Sequence, residues 1–547
     1  MIALAIENNL DLAYFRYNFP IAQTDLRRTE AGGQANGVDT SVVQSSSQGG
    51  FNSSSSGSAA ASSSSAGAGT GGIVYSTLGA GAPVPSFDPF LTFRGFVDHT
   101  VTREGNAFQV GVPIFKQNTI EGLANYSQSF RFGTNLAIDY EGQRFANNSP
   151  HEAINPTLYS NFEVQISQPL LAGFGLSSNE RYIELAKKDL KITDIAFRAQ
   201  VIATITTVED LYWDLVNSYE DEQVKERSLT FAQKTLQDDQ EQFKLNAIPA
   251  MQVMKDESDV ATGESNLTAA RETLRLNELE MKNALTRSDD PVIDEMPVIP
   301  LDRVGAPDPN ASKSIDDLIA EAEKNRPDVI EDEMAMEKQQ ASLKDIRSEL
   351  LPSLNLYGQY IGAGIAGPKN LNCNLVPAEC ASDLPTGFGS MLQNTFNYSS
   401  PEYQVGMTLQ INLRNRVFKA DQFRTALQYR QAQVAYEEQK KKIQFDVRNS
   451  LYVLQQAKAN VDSAQKALDL QQSTFDIAVK EQKLGATSSY DTLVAQNNLA
   501  LAQSAFAAAQ TAYEKAKVDI DRATGETLDQ TGVSIDDAKT GVLTHTP

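Results

Sequence analysis

Along the last quarter of the chain, apolar side chains return at every seventh residue. Leu454, Val461, Leu468 and Phe475 form one row, with Ala457, Ala464 and Ala478 in a second register. After a short break the pattern resumes as Leu499, Phe506, Tyr513 and Ile520, beside Ala495, Ala502, Ala509, Ala516 and Ala523. The first half repeats it with Val253, Val260, Leu267, Leu274 and Met281. A strict seven-residue repeat keeps one seam of a helix facing a partner, and small residues at that spacing let two backbones approach closely. These rows predict coiled-coil helices rather than ordinary amphipathic core helices. A helix over about 177–244, or 415–484, spans ~100 Å at 1.5 Å per residue. That suits a rod or a wall better than a compact domain.

Other stretches alternate with the period of a strand. In "EYQVGMTLQIN" (402–412) Tyr403, Val405, Met407, Leu409 and Ile411 share one face, and Gln404, Gly406, Thr408, Gln410 and Asn412 the other. "NFEVQIS" does the same with Phe162, Val164 and Ile166. "LPSLNLYGQYIG" (351–362) alternates less cleanly and starts where Pro352 stops a helix. Strand-like text also covers about 89–102, 119–128 and 131–143. Apolar-out, polar-in segments of ~10 residues mark membrane β-barrels, although a half-exposed soluble sheet reads the same way.

The chain is a tandem duplication. "FKLNAIPAMQVMKDESDVA" (243–261) aligns with "QKLGATSSYDTLVAQNNLA" (482–500), so Leu245 matches Leu484, Asn246 matches Gly485, and Ala261 matches Ala500 at one offset. "FEVQISQPLL" (162–171) likewise resembles "GMTLQINLRN" (406–415), each just before a long helix. The repeated unit is strands, long helix, tight turn, returning helix. In the turn, Gly485 allows the left-handed backbone that ends a helix, and Asn is the next-best residue for it. Ser488 as N-cap with Asp491 three residues on has the form of a capping box.

Composition narrows the function. The 547 residues carry a net charge of −23, which argues against a nucleic-acid partner. No stretch approaches ~18 uncharged apolar residues, so no transmembrane helix is predicted. Three histidines and two cysteines leave no metal constellation. The cysteines, Cys373 and Cys380, lie close together in a polar loop; they fit a small disulfide in an oxidising compartment, or two free thiols. The N-terminal "ALAIENNLDLAYFR" reads as one amphipathic helix without a basic n-region or a cleavage site. Either the protein is cytoplasmic or the chain is written without its leader, and the strand and helix patterns favour the second. Residues 44–72 are a flexible Ser/Gly-rich insert.

The duplicated units, "ALAIENNLDLA" near the start, "ISQPLLAGFG" (166–175), "LPSLNLYGQY" (351–360) and "KLGATSSYDTLVAQ" (483–496) together resemble the TolC family of outer-membrane efflux proteins, also called outer membrane factors. The resemblance covers most of the chain outside the insert and the tail. It implies an α+β membrane protein, a tandem-repeat protomer giving a trimeric 12-stranded β-barrel continued by a long α-helical coiled-coil barrel through the periplasm. It also implies an upstream signal peptide, a homotrimer in outer-membrane lipid, and partners in a periplasmic adaptor (membrane fusion protein) and an inner-membrane pump. No cofactor is implied. The turns Leu245, Asn246, Ala247 and Leu484, Gly485, Ala486, Ser488 become the periplasmic tip that meets the adaptor, and Asp491 a member of a lumenal carboxylate ring. Capping and ring can coexist. Gln482, Thr487 and Val494 stand where the best-known members have tyrosine, arginine and a second aspartate, and Gln252 replaces another aspartate. An ion-paired resting closure is not expected here.

The expected division is N-terminal helices at 1–43, the insert at 44–86, a first strand region at 87–174, and a first helical hairpin at 175–287. An equatorial linker at 288–350, a second strand pair with an extracellular loop at 351–414, a second hairpin at 415–526 and a polar, loosely ordered tail at 527–547 complete it. Strands between two such helices must be even in number. Residues 131–145 and 159–171 are therefore assigned to the barrel and the hairpin at 89–128 is left unplaced. The competing reading is a non-conducting structural coiled coil or periplasmic adaptor. No nucleophile–base pair, phosphate loop or metal cluster supports an enzyme.

Overall fold

The computed structural model describes residues 1–38, 40–41, 86–287, 296–302, 314–380 and 383–541. The Ser/Gly-rich insert predicted at 44–72 lies outside these. Six strands form one antiparallel sheet in chain order: β1 (Phe90–Arg103), β2 (Ile114–Ser129), β3 (Asn135–Asn147), β4 (Thr157–Pro169), β5 (Ser353–Ala366) and β6 (Pro401–Gln410). The hairpin left unplaced in the sequence, β1–β2, is thus the first third of the same sheet. Periodicity assigns faces to a strand but does not name its neighbour.

The register gives the sheet two unlike faces. One row runs Leu91, Tyr126, Ile138, Val164, Tyr360, Tyr403 across all six strands. The next row, on the opposite face, runs Thr92, Asn125, Asp139, Glu163, Ile361, Glu402. Polar side chains on that second face bond across strands: the Asn125 amide donates to Asp139 at 2.6 Å, and the Gln359 amide to Glu163 at 2.5 Å.

Two long hairpins spring from one end of the sheet. The first is α4 (Arg181–Lys244), entered through the short α3 (Leu176–Asn179), with α5 (Ala250–Leu285); after β5 and β6, α9 (Arg416–Lys483) and α10 (Ser489–Thr524) form the second. In the second hairpin Ala457 and Val461 are buried against Tyr513 and Ala516, with Leu454, Phe506 and Ala509 beside them. This is the seven-residue seam read from the sequence. Between the hairpins, α6 (Ile315–Asn325) and α7 (Pro327–Ile346) pack on Ile443, Val447 and Ala523. At the opposite end of the sheet, α8 (Phe388–Phe396) folds back over the apolar face. It rests on a seat of small residues: a Cβ at Gly362 would come within 2.5 Å of the Thr395 carbonyl oxygen, and the Ser160 hydroxyl meets that of Thr395.

Two expectations are corrected. The N-terminal helix is two, α1 (Ile2–Asn8) and α2 (Leu10–Glu30). Asn9 takes an extended backbone between them, and its side chain accepts from the N–H groups of Asp11 and Leu12 at 2.9 and 3.2 Å, an N-cap. The tail is not loosely ordered over its described part. It forms α11 (Thr527–Thr531) and α12 (Ile535–Thr540); Leu528, Ala538 and, between the two helices, Val533 are buried with Ile6, Leu12, Phe15 and Val201. Three apolar residues spaced five apart in polar text carry no helical or strand period, which is why the packing was not visible in the sequence.

Candidate functional site: the helical tip

Both long helices end in the same device. At the end of α9, the Gly485 N–H donates to the Gln482 carbonyl at 3.0 Å and the Ala486 N–H to that of Glu481 at 2.9 Å. At the end of α4, the Asn246 N–H donates to Phe243 at 2.9 Å and the Ala247 N–H to Gln242 at 2.9 Å. This pair of bonds is a Schellman cap, and its middle residue needs positive φ. Gly485 sits at φ 72° and Asn246 at φ 57°. Nothing lies within 4 Å of the place a Gly485 Cβ would occupy, so backbone conformation alone selects glycine there.

The helix that returns from Gly485 starts on a complete capping box. The Asp491 N–H donates to Ser488 Oγ at 3.2 Å, and the Ser488 N–H donates to Asp491 Oδ2 at 3.4 Å. The Ser488 and Thr487 hydroxyls also donate to Oδ2, at 2.7 and 3.2 Å. Those bonds, from the Ser488 hydroxyl first, then its N–H and the Thr487 hydroxyl, hold the exposed Asp491 carboxyl below the usual carboxylate range. It stays a carboxylate at neutral pH while it caps. In the first hairpin Pro249 is the N-cap and no side chain bonds there, so the two tips differ in chemistry although they share a backbone.

The two tips lie side by side. The Lys255 ammonium stands 4.7 Å from the Tyr490 ring centre and near enough to Asp491 to favour its charged form. Leu245 and Leu484, the residues just before the two turns, are 79% and 84% exposed. Two large apolar side chains at the extreme ends of two helices are thus left mostly uncovered by this chain.

One feature of the tip went unread in the sequence. Asp239 on α4 and Asp256 on α5 are both buried, between helices that pair along their length. Burial first, then the neighbouring Asp239 carboxyl, push the Asp256 carboxyl up to about 7; the Gln252 amide, which donates to it at 3.4 Å, partly offsets this. The available signal was a carboxylate three residues after Val253 on the predicted seam, where an apolar residue belongs.

At the far end of the sheet a disulfide joins Cys373 to Cys380 in the β5–β6 loop. The Asn370 amide of that loop donates to the Ser149 and Glu152 carbonyls at 3.0 and 2.9 Å, tying it to the β3–β4 loop. Among the described residues no cluster of metal-ligating side chains is present, and no helix is long and apolar enough to cross a membrane.

Comparison with known proteins gives this geometry a context. The outer membrane efflux protein family matches residues 318–526, which hold β5 and β6, α9 and α10. No curated protein sequence matches the chain. Among solved structures, the Campylobacter jejuni CmeC outer membrane channel superposes with a TM-score of 0.61 at 15% identity, over 99% of this chain and 89% of that one. The outer membrane protein VceC from Vibrio cholerae superposes with a TM-score of 0.58 at 13% identity, over 96% and 95%. Residues 318–526 therefore match the outer membrane efflux protein family, and the described chain has a fold similar to that of the TolC-like outer-membrane channels.

Proposed function

We propose that this chain is one subunit of a trimeric, passive exit duct in the outer membrane, coupled through its helical tip to a periplasmic adaptor and an inner-membrane pump of a tripartite efflux or type I secretion system. The observation that carries the reading is the second apolar face of α9. Its first seam, through Leu454 and Val461, is used within the chain. Phe423, Val434, Phe445, Tyr452, Leu470 and Ile477 are exposed. They recur at intervals of 7, 11 or 18 residues, each near a whole number of turns, so they lie on one stripe. Tyr452 and Leu454 are two residues apart, roughly 200° round a helix of 3.6 residues per turn. A helix with two opposed seams has a neighbour on each side, as in a closed wall of helices, and a second copy supplies the missing one.

The remaining features fit this arrangement. The apolar sheet face suits outer-membrane lipid, and the opposite face, with Glu121, Asp139, Glu141 and Glu163, suits a water-filled lumen. The family resemblance implies twelve strands, four from each of three copies, whereas the sheet of this chain has six, with β1 and β2 beyond the four. The exposed Leu245 and Leu484, with Asn246, Ala247, Gly485, Ala486 and Ser488, form the adaptor-docking tip, and Asp491 from three copies a carboxylate ring in its mouth. The disulfide loop stands at the outer surface. An adaptor is disfavoured because it carries compact β-rich domains on one helical hairpin, whereas here two hairpins leave one sheet. The test is fractionation of cells exporting the chain behind a cleavable leader. A heat-modifiable trimer in the outer membrane supports the proposal; a detergent-independent soluble monomer contradicts it.

A further inference from the structure

The sheet of a single chain ends in two long open edges, the outer sides of β1 and β6. Every residue of β1 from Phe90 to Arg103 is exposed, and β6 is exposed almost throughout. Soluble proteins blunt such edges with charges, bulges or covering segments, and only closure removes them. Here the edge strands keep the apolar face instead. Leu91, Phe93, Val97 and Val101 project from β1 on the side from which Tyr403, Val405, Met407 and Leu409 project on β6; Val97 is 76% exposed and Val405 80%.

The β1–β2 hairpin is also part of the polar face and of the loop end. Arg94 pairs with Glu121 at 3.4 Å, and the Gln143 amide donates to Glu121 at 3.1 Å, joining β1, β2 and β3. At the loop end the Ser149 hydroxyl donates to the Val110 carbonyl at 2.9 Å, holding the β1–β2 loop against the β3–β4 loop. At the helical end the Phe87 N–H donates to the Ala31 carbonyl at 2.9 Å, so β1 leaves from the level at which α2 ends. Six is an even number, so β1 starts at the helical end and β6 returns to it. Placed edge to edge, β6 of one copy and β1 of another run antiparallel, as every pair within the sheet does.

We infer that the partner of each open edge is a second copy of this chain, with β6 of one subunit hydrogen-bonded to β1 of the next, so that three copies close a barrel of eighteen strands. This rests on the trimeric duct proposed above and changes its membrane part. Barrel diameter grows roughly linearly with strand number, and barrels of about 16–18 strands leave an open aqueous channel. The helical wall keeps its four long helices per chain. The narrow part of the conduit is then the periplasmic tip, and the strand barrel does not limit flux.

Cysteine pairs in the full-length chain test the junction. Val97→Cys combined in turn with Tyr403→Cys, Val405→Cys or Met407→Cys covers neighbouring registers on one face. Ile138→Cys with the same three partners reports a twelve-strand closure through β3. Mild oxidation of the membrane-inserted protein should give several-fold more covalent trimer with a Val97→Cys pair than with any Ile138→Cys pair. The reverse ratio overturns the eighteen-strand barrel and leaves the trimeric duct standing. No cross-linking by either set, with a monomer by sedimentation, overturns both. Imaging of the unmodified protein in lipid discs decides the matter without substitutions: three-fold particles with eighteen strands support the inference, and twelve strands overturn it.

Discussion

Gly485 and Asn246 do the same job in two repeats, and the difference between them predicts how each tolerates change. At Gly485 a side chain meets no atom but must accept φ 72°. A β-branched residue resists that conformation by roughly 1–2 kcal/mol or more. Gly485→Val should therefore distort the turn and lower export while trimer yield stays near wild type, since the sheet lies ~100 Å away at 1.5 Å per residue. Gly485→Asn should come close to wild type, because Asn246 already holds this cap. Export assayed beside trimer yield checks both. Asp491→Asn keeps much of the capping but removes the charge. If the carboxylates form a ring, cation preference in planar bilayers falls; unchanged preference leaves Asp491 as a cap alone. Asp256 makes a pH prediction. Its carboxyl titrates at about 7 in the folded chain, so between about pH 4 and 7 the folded state holds a proton that the unfolded state has released. Stability from this group is present at low pH and lost as pH rises through 7. Glu209 and Glu331 are also raised to about 7, mainly by burial. The readout is therefore a difference: the fall of Tm with pH should be shallower in Asp256→Asn than in the parent, and an identical slope contradicts the assignment.

At the scale of elements, the exposed stripe of α9 is the surface on which the proposed assembly would depend. Phe445 is 69% exposed in the single chain, so Phe445→Glu should leave helicity intact and reduce trimer several-fold in gel filtration. A trimer yield equal to wild type would mean that the stripe faces solvent. The same helix explains what the sequence made legible. Seven-residue rows such as Leu454 to Phe475 repeat often enough to fix helix type, length and partner face, because each heptad adds an independent match. Strand faces were readable for the same reason in 402–412. Strand neighbours were not: β1 and β2 alternate as β3 and β4 do, and no local pattern distinguishes a hairpin beside the sheet from one within it. The tip turns were readable because left-handed backbone restricts residue choice to glycine and asparagine. The Asp239–Asp256 contact was not, since it joins two helices whose relative rotation no single row determines.

Over the whole molecule, one polypeptide combines a sheet with an apolar and a polar face, two hairpins about 100 Å long at 1.5 Å per residue, and a tip with two exposed leucines. In the proposed duct each surface left open by the single chain would meet a different neighbour: lipid for the sheet face, a second copy for the sheet edges and the α9 stripe, and an adaptor for the tip. The central claim is that three such chains enclose a continuous water-filled path, without an ion-paired closure at the tip where Gln482, Thr487 and Val494 stand. Single-channel recording of the purified trimer in a planar lipid bilayer tests this most directly. The account predicts discrete, ohmic conductance steps without any pump or adaptor present. Silent membranes from protein verified as inserted trimer would contradict it.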